Sequence, residues 1–102
     1  MPFRRGRFHD VVERQLALFE RDHAGLIRDA EKALAAYDAA DREDAEERYG
    51  DYLDLVEAGE EGLVELREAY AHTLDQATAD EYEAAFNAAV RKRLPRFAAG
   101  LD

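Results

Sequence analysis

The sequence contains no cysteine, no serine and no tryptophan, and its only threonines are Thr73 and Thr78. The absence of cysteine excludes disulfide bonds, thiolate nucleophiles and cysteine-ligated zinc or iron–sulfur sites. With so few hydroxyl groups, catalysis by a serine or threonine nucleophile is nearly excluded as well. A glycine-rich phosphate loop and a nucleophile elbow are also missing. We therefore expect a non-catalytic protein.

Long apolar segments are missing too. The longest uncharged stretch, residues 84–90, has seven residues, whereas a membrane-spanning helix needs about 20. The basic start of the chain, residues 1–7, leads into acidic and polar residues rather than into the apolar run of a secretory signal. These features predict a soluble, cytoplasmic protein that does not bind membranes.

The charge is strongly acidic, with 24 acidic residues against 14 basic ones and a formal net charge of −10 at pH 7. The acidic excess lies in the middle of the chain, between Asp38 and Glu83. Seven of the 14 bases form two small clusters near the chain ends: Arg4, Arg5 and Arg7, and Arg91, Lys92, Arg93 and Arg96. An acidic middle repels a polyanion, so we expect no nucleic-acid partner.

Apolar side chains recur along most of the chain at alternating steps of four and three residues. That spacing places them on one face of a helix and does not fit a strand. The pattern predicts a single helical domain with these parts: a basic N-terminal arm over residues 1–7, helices over residues 8–38, 42–77 and 79–94, and a C-terminal tail over residues 95–102.

Local signals mark the ends of these helices. Asp41 is the expected N-cap of the second helix, and Thr78 with Glu81 has the spacing of a capping box at the start of the third. Pro95 disfavours helical backbone at the residue before it, so the third helix is expected to stop at about Leu94. The apolar residues of the tail are expected to fold back onto the helices.

Two glycines in the second helix, Gly59 and Gly62, leave two alternatives open. Together they cost about 2 kcal/mol of helix propensity, and a break there would give four shorter helices in a monomeric bundle. The apolar phase nevertheless runs across both glycines without interruption. We therefore favour one continuous second helix.

The predicted helices differ in length, and this difference indicates an oligomer. A connection as short as residues 38–41 makes the first two helices antiparallel neighbours, and it should bring Tyr37 and Tyr49 together beside it. The third helix is about half as long, so a monomer would leave part of the hairpin seam uncovered. The predicted fold is therefore all-α, a long antiparallel helical hairpin plus a short third helix, completing a four-helix-type bundle by dimerisation.

Glu20 and His23 form a Glu-x-x-His pair that could take part in a metal site. In four-helix bundles this spacing holds iron or manganese, because the carboxylate and the imidazole point inward together. If the hairpin is centred near residues 40–41, His23 lies opposite the region of Glu60, so the three residues could form one site. A twofold dimer would supply the second set of ligands, in the manner of the ferritin-like carboxylate proteins. The alternative interpretation is that His23 is an ordinary core histidine.

A weaker hypothesis groups two histidines with two carboxylates. The same hairpin register pairs His9 with His72 and Glu13 with Glu68, a set that could bind a zinc-like ion. The helical periodicity places Glu68 and His72 on the outer face of the second helix, which disfavours this site.

Four glutamates form an acidic strip on the second helix, opposite its apolar face: Glu57, Glu61, Glu65 and Glu68. An acidic strip is typical of a solvated helix face. It could also be a docking surface for a basic partner protein, because long-range attraction speeds the association of oppositely charged surfaces.

These observations predict a non-catalytic, oligomeric helical interaction or structural protein without a cofactor, assembled as a homodimer. The alternative is a ferritin-like carboxylate and histidine bundle that binds iron or manganese at a site formed across a dimer. A weaker alternative is an acidic protein that docks on a basic surface of its partner.

Overall fold

A computed structural model describes residues 6–101 of the chain, and all regular secondary structure in that range is helical. The α-helices are α1 (His9–Asp22), α2 (Ala24–Ala39), α3 (Ala45–Ala71) and α4 (Gln76–Arg93), followed by single 3-10 turns at Pro95–Phe97 and Ala99–Leu101. The prediction of an all-α protein is confirmed. None of the helices in the described range is long and apolar enough to span a membrane.

The first predicted helix, residues 8–38, is interrupted in the structure by one residue, His23. Its backbone dihedral angles, φ −116° and ψ 26°, separate α1 from α2. The imidazole stacks on the Phe19 ring, and its Nδ1 lies 3.2 Å from the Phe19 carbonyl oxygen, which also accepts the His23 backbone N–H. The backbone dihedral angles of His23 depart from helical values, although its backbone N–H and carbonyl oxygen keep hydrogen bonds of helical spacing with Phe19 and Ile27. The prediction of one unbroken helix is therefore wrong.

α3 runs without a break through Gly59 and Gly62. Both glycines have a packing role. A Cβ built on Gly59 would lie 2.5 Å from two ring carbons of Phe97, and one built on Gly62 would lie 3.1 Å from the Phe19 ring. The missing side chains let these two aromatic rings approach the helix backbone closely.

The start of α3 differs from the predicted one. The helix begins at Ala45, because residues 42–44 form a turn. The Asp41 carboxylate accepts a hydrogen bond from the backbone N–H of Asp44 at 3.2 Å. Asp41 therefore stabilises the turn that precedes the helix, and it is not the N-cap of the helix itself.

α3 and α4 are separated by residues 72–75, where the sequence predicted continuous helix. Asp75 is the N-cap of α4, and its carboxylate accepts a hydrogen bond from the backbone N–H of Thr78 at 2.8 Å. The predicted capping box of Thr78 and Glu81 is therefore wrong, because an aspartate three residues earlier caps the helix equally well. The hydrogen bonds from Thr78 hold the pKa of the Asp75 carboxyl below its usual value.

α4 ends at Arg93, and Leu94 leaves helical backbone immediately before Pro95. The tail then folds back, so that Phe97 is only 1% exposed and Leu101 is buried as well. Arg67 of α3 holds this arrangement. Its guanidinium donates to Asn87 Oδ1 on α4 at 2.9 Å and to the Leu101 carbonyl oxygen at 3.1 Å.

Most of the core lies in one half of the molecule, which we call the base: α1, α4, residues 95–101 and the C-terminal half of α3. Its largest fully buried side chains are Leu16, Leu63, Tyr82, Phe86, Val90, Phe97 and Leu101. The other half, which we call the projection, consists of α2, residues 40–44 and the N-terminal half of α3. In α2 the only buried residue is Ala30. The molecule is accordingly elongated, with extents of 52 × 32 × 22 Å.

Contacts at both ends of α2 show that it runs antiparallel to α3. Near the connection the rings of Tyr37 and Tyr49 meet, with centroids 5.0 Å apart, which confirms the predicted contact. Near the base, His23 lies opposite Gly62. The hairpin is thus centred near residue 43, later than the predicted centre at residues 40–41, because the connection extends to residue 44.

Tyr82 carries a buried hydroxyl whose ionisation makes the free energy of unfolding depend on pH in the alkaline range. The residue is 0% exposed, and its hydroxyl donates a hydrogen bond to Gln15 Oε1 at 2.8 Å. Burial disfavours the phenolate and raises the pKa of Tyr82 to about 12. Below pH 10.0, the ordinary pKa of tyrosine, the buried hydroxyl therefore contributes fully to the free energy of unfolding. This contribution is lost as the pH rises from 10.0 to the pKa of the folded state, about 12.

We expect the free energy of unfolding to fall between pH 10 and pH 12, because the unfolded chain releases the Tyr82 proton first. For one proton the slope is at most about 1.4 kcal/mol per pH unit. Chemical denaturation from neutral pH to pH 12 measures it, and Tyr82→Phe removes the ionisable group while keeping the ring. Identical pH profiles for the native protein and Tyr82→Phe would contradict the prediction.

Candidate interaction surfaces

Glu20, one of the three predicted metal ligands, is engaged in an ion pair between α1 and α4. Its carboxylate accepts a hydrogen bond from Arg93 Nη2 at 2.7 Å, and the same guanidinium donates to Glu13 at 3.2 Å. The hydrogen bond to Glu20 raises the pKa of Arg93. This carboxylate therefore ties α1 to the end of α4.

His23 and Glu60, the other two predicted ligands, have different neighbours. His23 Nε2 faces α3 at Gly62, whereas the Glu60 carboxylate packs against Gly100 of the tail. Glu60 lies on the face of α3 that the tail covers, whereas Gly62 is the residue of α3 that faces His23. Within residues 6–101, no group of three or more His, Asp or Glu side chains is placed to hold a metal ion. One chain does not assemble this ligand set, and a site completed across a dimer stays a prediction.

The second predicted metal set is not assembled either. His9 lies beside Glu13 in a groove between α1 and α4, whereas His72 is exposed beyond the end of α3. The Glu68 carboxylate accepts hydrogen bonds from Arg67 at 2.9 and 3.2 Å. These residues therefore belong to separate parts of the surface.

The predicted acidic strip borders a groove with a volume of about 390 Å³ on α3. The groove is lined by these residues: Glu57, Glu60, Glu61, Val64, Glu65 and Gly100. Glu68, the fourth member of the strip, is not part of the lining and is paired with Arg67. The sequence indicated the acidic face but not the groove, which exists because the folded tail brings Gly100 against Glu60.

A second groove, about 520 Å³ in volume, lies where α4 ends beside the projection. Ile27 and Tyr52 line it from the projection, and Leu94 and Phe97 line it from the end of α4 and the tail. Its wall also carries two bases, Arg93 and Arg96, and one acid, Glu31. The groove is therefore an apolar junction with a basic edge.

Large apolar side chains are exposed on the projection. Of the three that are exposed in the described chain, Leu18 lies on α1, whereas Tyr49 (43%) and Leu53 (38%) lie on α3 in the projection. Leu53, Glu60 and Arg67 are seven residues apart and so share one face of α3. The tail covers this face at Glu60 and Arg67 but leaves it open to solvent at Leu53. We call Tyr49 and Leu53 the open face.

Charge clusters of opposite sign lie at the two ends of the projection. We call the cluster at the end of α4 the shoulder: Arg91, Lys92, Arg93 and Arg96. At the other end, which we call the tip, residues 38–48 carry six carboxylates and two arginines. The sequence reveals both clusters, and the structure places Arg96 of the shoulder in the same groove as Ile27 and Tyr52 of the projection.

The basic N-terminal arm is predicted over residues 1–7. Residues 1–5 of this arm lie outside the described part of the chain. Arg7 is described, and its guanidinium pairs with the Glu81 carboxylate at 3.3 Å. The same guanidinium lies 5.1 Å from the centre of the Phe8 ring. This part of the cluster therefore contacts the base.

Comparison of the chain with models of protein families, with curated proteins and with solved structures finds no match.

Proposed function

We propose that this protein is a non-catalytic helical interaction protein that forms a homodimer through the open face of its projection. The observation that supports this function is the exposure of Tyr49 and Leu53 on a two-helix unit that has little core of its own. In the base, the same face of α3 is covered by the tail. A second copy would provide the corresponding cover for the projection.

Dimerisation would give α3 packing partners along its whole length. In a twofold interface each open face meets its own copy, so that Tyr49 and Leu53 of both chains are buried together. Exposed large apolar groups are typical of interaction sites, and tyrosine is among the residues that contribute most to binding energy. The arrangement corresponds to a four-helix bundle built from two hairpins.

Leu53→Glu is expected to raise the dimer Kd by roughly 100-fold, because it places a charge in the apolar contact of both copies. Sedimentation equilibrium over a series of protein concentrations measures the change. Leu18→Glu is the matched control, since Leu18 is 42% exposed but lies on α1 in the base. It adds the same charge and should leave the Kd within about threefold of the native value.

A native protein that stays monomeric at the highest concentration tested would contradict the proposed function. An equal loss of affinity in Leu18→Glu would attribute the effect to added charge rather than to the open face. Circular dichroism of both variants establishes that the helices are intact. Because both substitutions are at exposed positions, we expect their folding to be unaffected.

The metal-binding hypothesis is also tested on the dimer, because its site would be formed across two chains. Native mass spectrometry of protein purified without chelators or an affinity metal measures the mass of the assembly. A bare dimer supports the interaction protein. One or two iron or manganese ions per dimer, lost in His23→Leu, would support the carboxylate and histidine bundle instead.

Docking to a basic partner through the acidic groove is a further hypothesis, and it does not compete with dimerisation. The exposed carboxylates of Glu57, Glu61 and Glu65 surround the apolar side chain of Val64 there. A partner bound in this way would be released at high salt, because screening weakens attraction between exposed charges.

A further inference from the structure

We infer that the two copies associate antiparallel, so that the acidic tip of each projection docks on the basic shoulder of the other copy. This inference rests on the proposed dimer and names the surface that receives the tip. It identifies the shoulder and the adjoining groove at the end of α4 as a binding site for a second copy of the chain.

Charge distinguishes between the two arrangements that a twofold axis allows. An axis along the projections would make them parallel and would bring the two tips together, each with six carboxylates and two arginines. An axis perpendicular to the projections makes them antiparallel and places each tip beside the partner's shoulder. Like charges across an interface are unfavourable and opposite charges favourable, so the antiparallel dimer is preferred.

The position of the shoulder fits this arrangement. α4 ends beside Ile27, at the junction of the projection with the base. From Ile27 to Tyr37 the projection is about 15 Å long, at 1.5 Å per helical residue. Two projections that overlap over this length in opposite directions bring the tip of one to the end of α4 in the other. The apolar open faces and the charged ends therefore meet in the same arrangement.

The helix termini add to this complementarity. The shoulder lies at the C-terminus of α4, whereas several tip carboxylates lie in the first turn of α3, including Glu46 and Glu47. Each set lies at the helix end whose dipole favours its charge, and each carries an excess of that sign. Arg93 and Arg96 both line the groove that faces the projection, but Arg93 is also held within its own chain by Glu13 and Glu20. We therefore assign Arg96 as the shoulder residue that contacts the partner's tip.

A charge swap in the full chain tests the inference. Arg96→Glu should raise the dimer Kd about tenfold, because a tip–shoulder contact is lost twice per dimer. Arg14→Glu, at an exposed position on α1, makes the same change in net charge and should alter the Kd less than about threefold. The tip variant Glu43→Arg/Glu47→Arg should weaken the dimer as well. Combining it with Arg96→Glu should restore the Kd to within about threefold of the native value.

The outcomes separate this inference from the proposed function. A native dimer in which Arg96→Glu behaves like Arg14→Glu, or in which the combined variant shows no rescue, would overturn the antiparallel docking and leave the dimer in place. A native monomer would overturn both.

A second measurement uses the absence of cysteine from the chain. Ala40→Cys places a single thiol at the tip, and disulfide formation requires the two Cα atoms to lie within about 7 Å. The antiparallel dimer keeps the two tips apart, so oxidation should leave the chains unlinked. Efficient cross-linking of the dimer would show that the tips meet and would contradict the antiparallel arrangement.

Discussion

Phe97→Ala is expected to lower the free energy of unfolding by about 3–5 kcal/mol, because it removes a buried aromatic ring and leaves a cavity. The ring is 1% exposed and lies close to the backbone of α3 at Gly59. Since Phe97 lies in the tail, the same substitution also weakens the contact that holds the last residues on the base. Urea denaturation followed by circular dichroism measures the loss.

Two comparisons make the Phe97 result specific. Phe97→Leu keeps most of the apolar volume and should cost less than about half as much as the alanine variant. Leu18→Ala removes an exposed apolar side chain from α1 and should change stability by no more than about 0.5 kcal/mol. A loss below about 1 kcal/mol for Phe97→Ala would contradict the packing of the tail onto α3.

Two glycines of the same helix are expected to respond to alanine in opposite directions. Gly59→Ala should destabilise the protein by about 1–3 kcal/mol, because its Cβ would lie 2.5 Å from the ring of Phe97. Gly50→Ala should instead stabilise it by about 0.5–1 kcal/mol. A Cβ at Gly50 meets no other atom within 4 Å, so the higher helix propensity of alanine is gained without a clash.

A double-mutant cycle assigns the Gly59 effect to the ring. In a Phe97→Ala background the clash is absent, so Gly59→Ala should become neutral or stabilising there. Thermal or urea denaturation of the four proteins gives the coupling free energy. If Gly59→Ala costs the same in both backgrounds, the close approach of Phe97 is not the cause of the loss.

The sequence-based predictions that were wrong failed for local reasons at the helix ends and for long-range reasons in the proposed ligand set. At His23, which stacks on Phe19, the backbone departs from helical dihedral angles, while the apolar periodicity runs through the break unchanged. The ligand set with Glu60 assumed that this glutamate faces α2, whereas Glu60 lies on the face of α3 that the tail covers and Gly62 is the residue opposite His23. Periodicity does not resolve this difference, because the spacing of apolar residues carries no information about which neighbour covers each face of a helix.

The sequence by itself determined that the chain is helical, that α4 stops before Pro95 and that opposite charges gather at separate positions. Each of these follows from residues within one or two helical turns of each other. Only the tertiary structure decided the register of α2 on α3, the burial of the tail and the face that stays open. These features depend on contacts between residues far apart in the chain, such as Phe97 with Gly59 and Arg67 with Leu101. Such contacts depend on how the elements fit together in space, and the local pattern of any one helix does not contain that information.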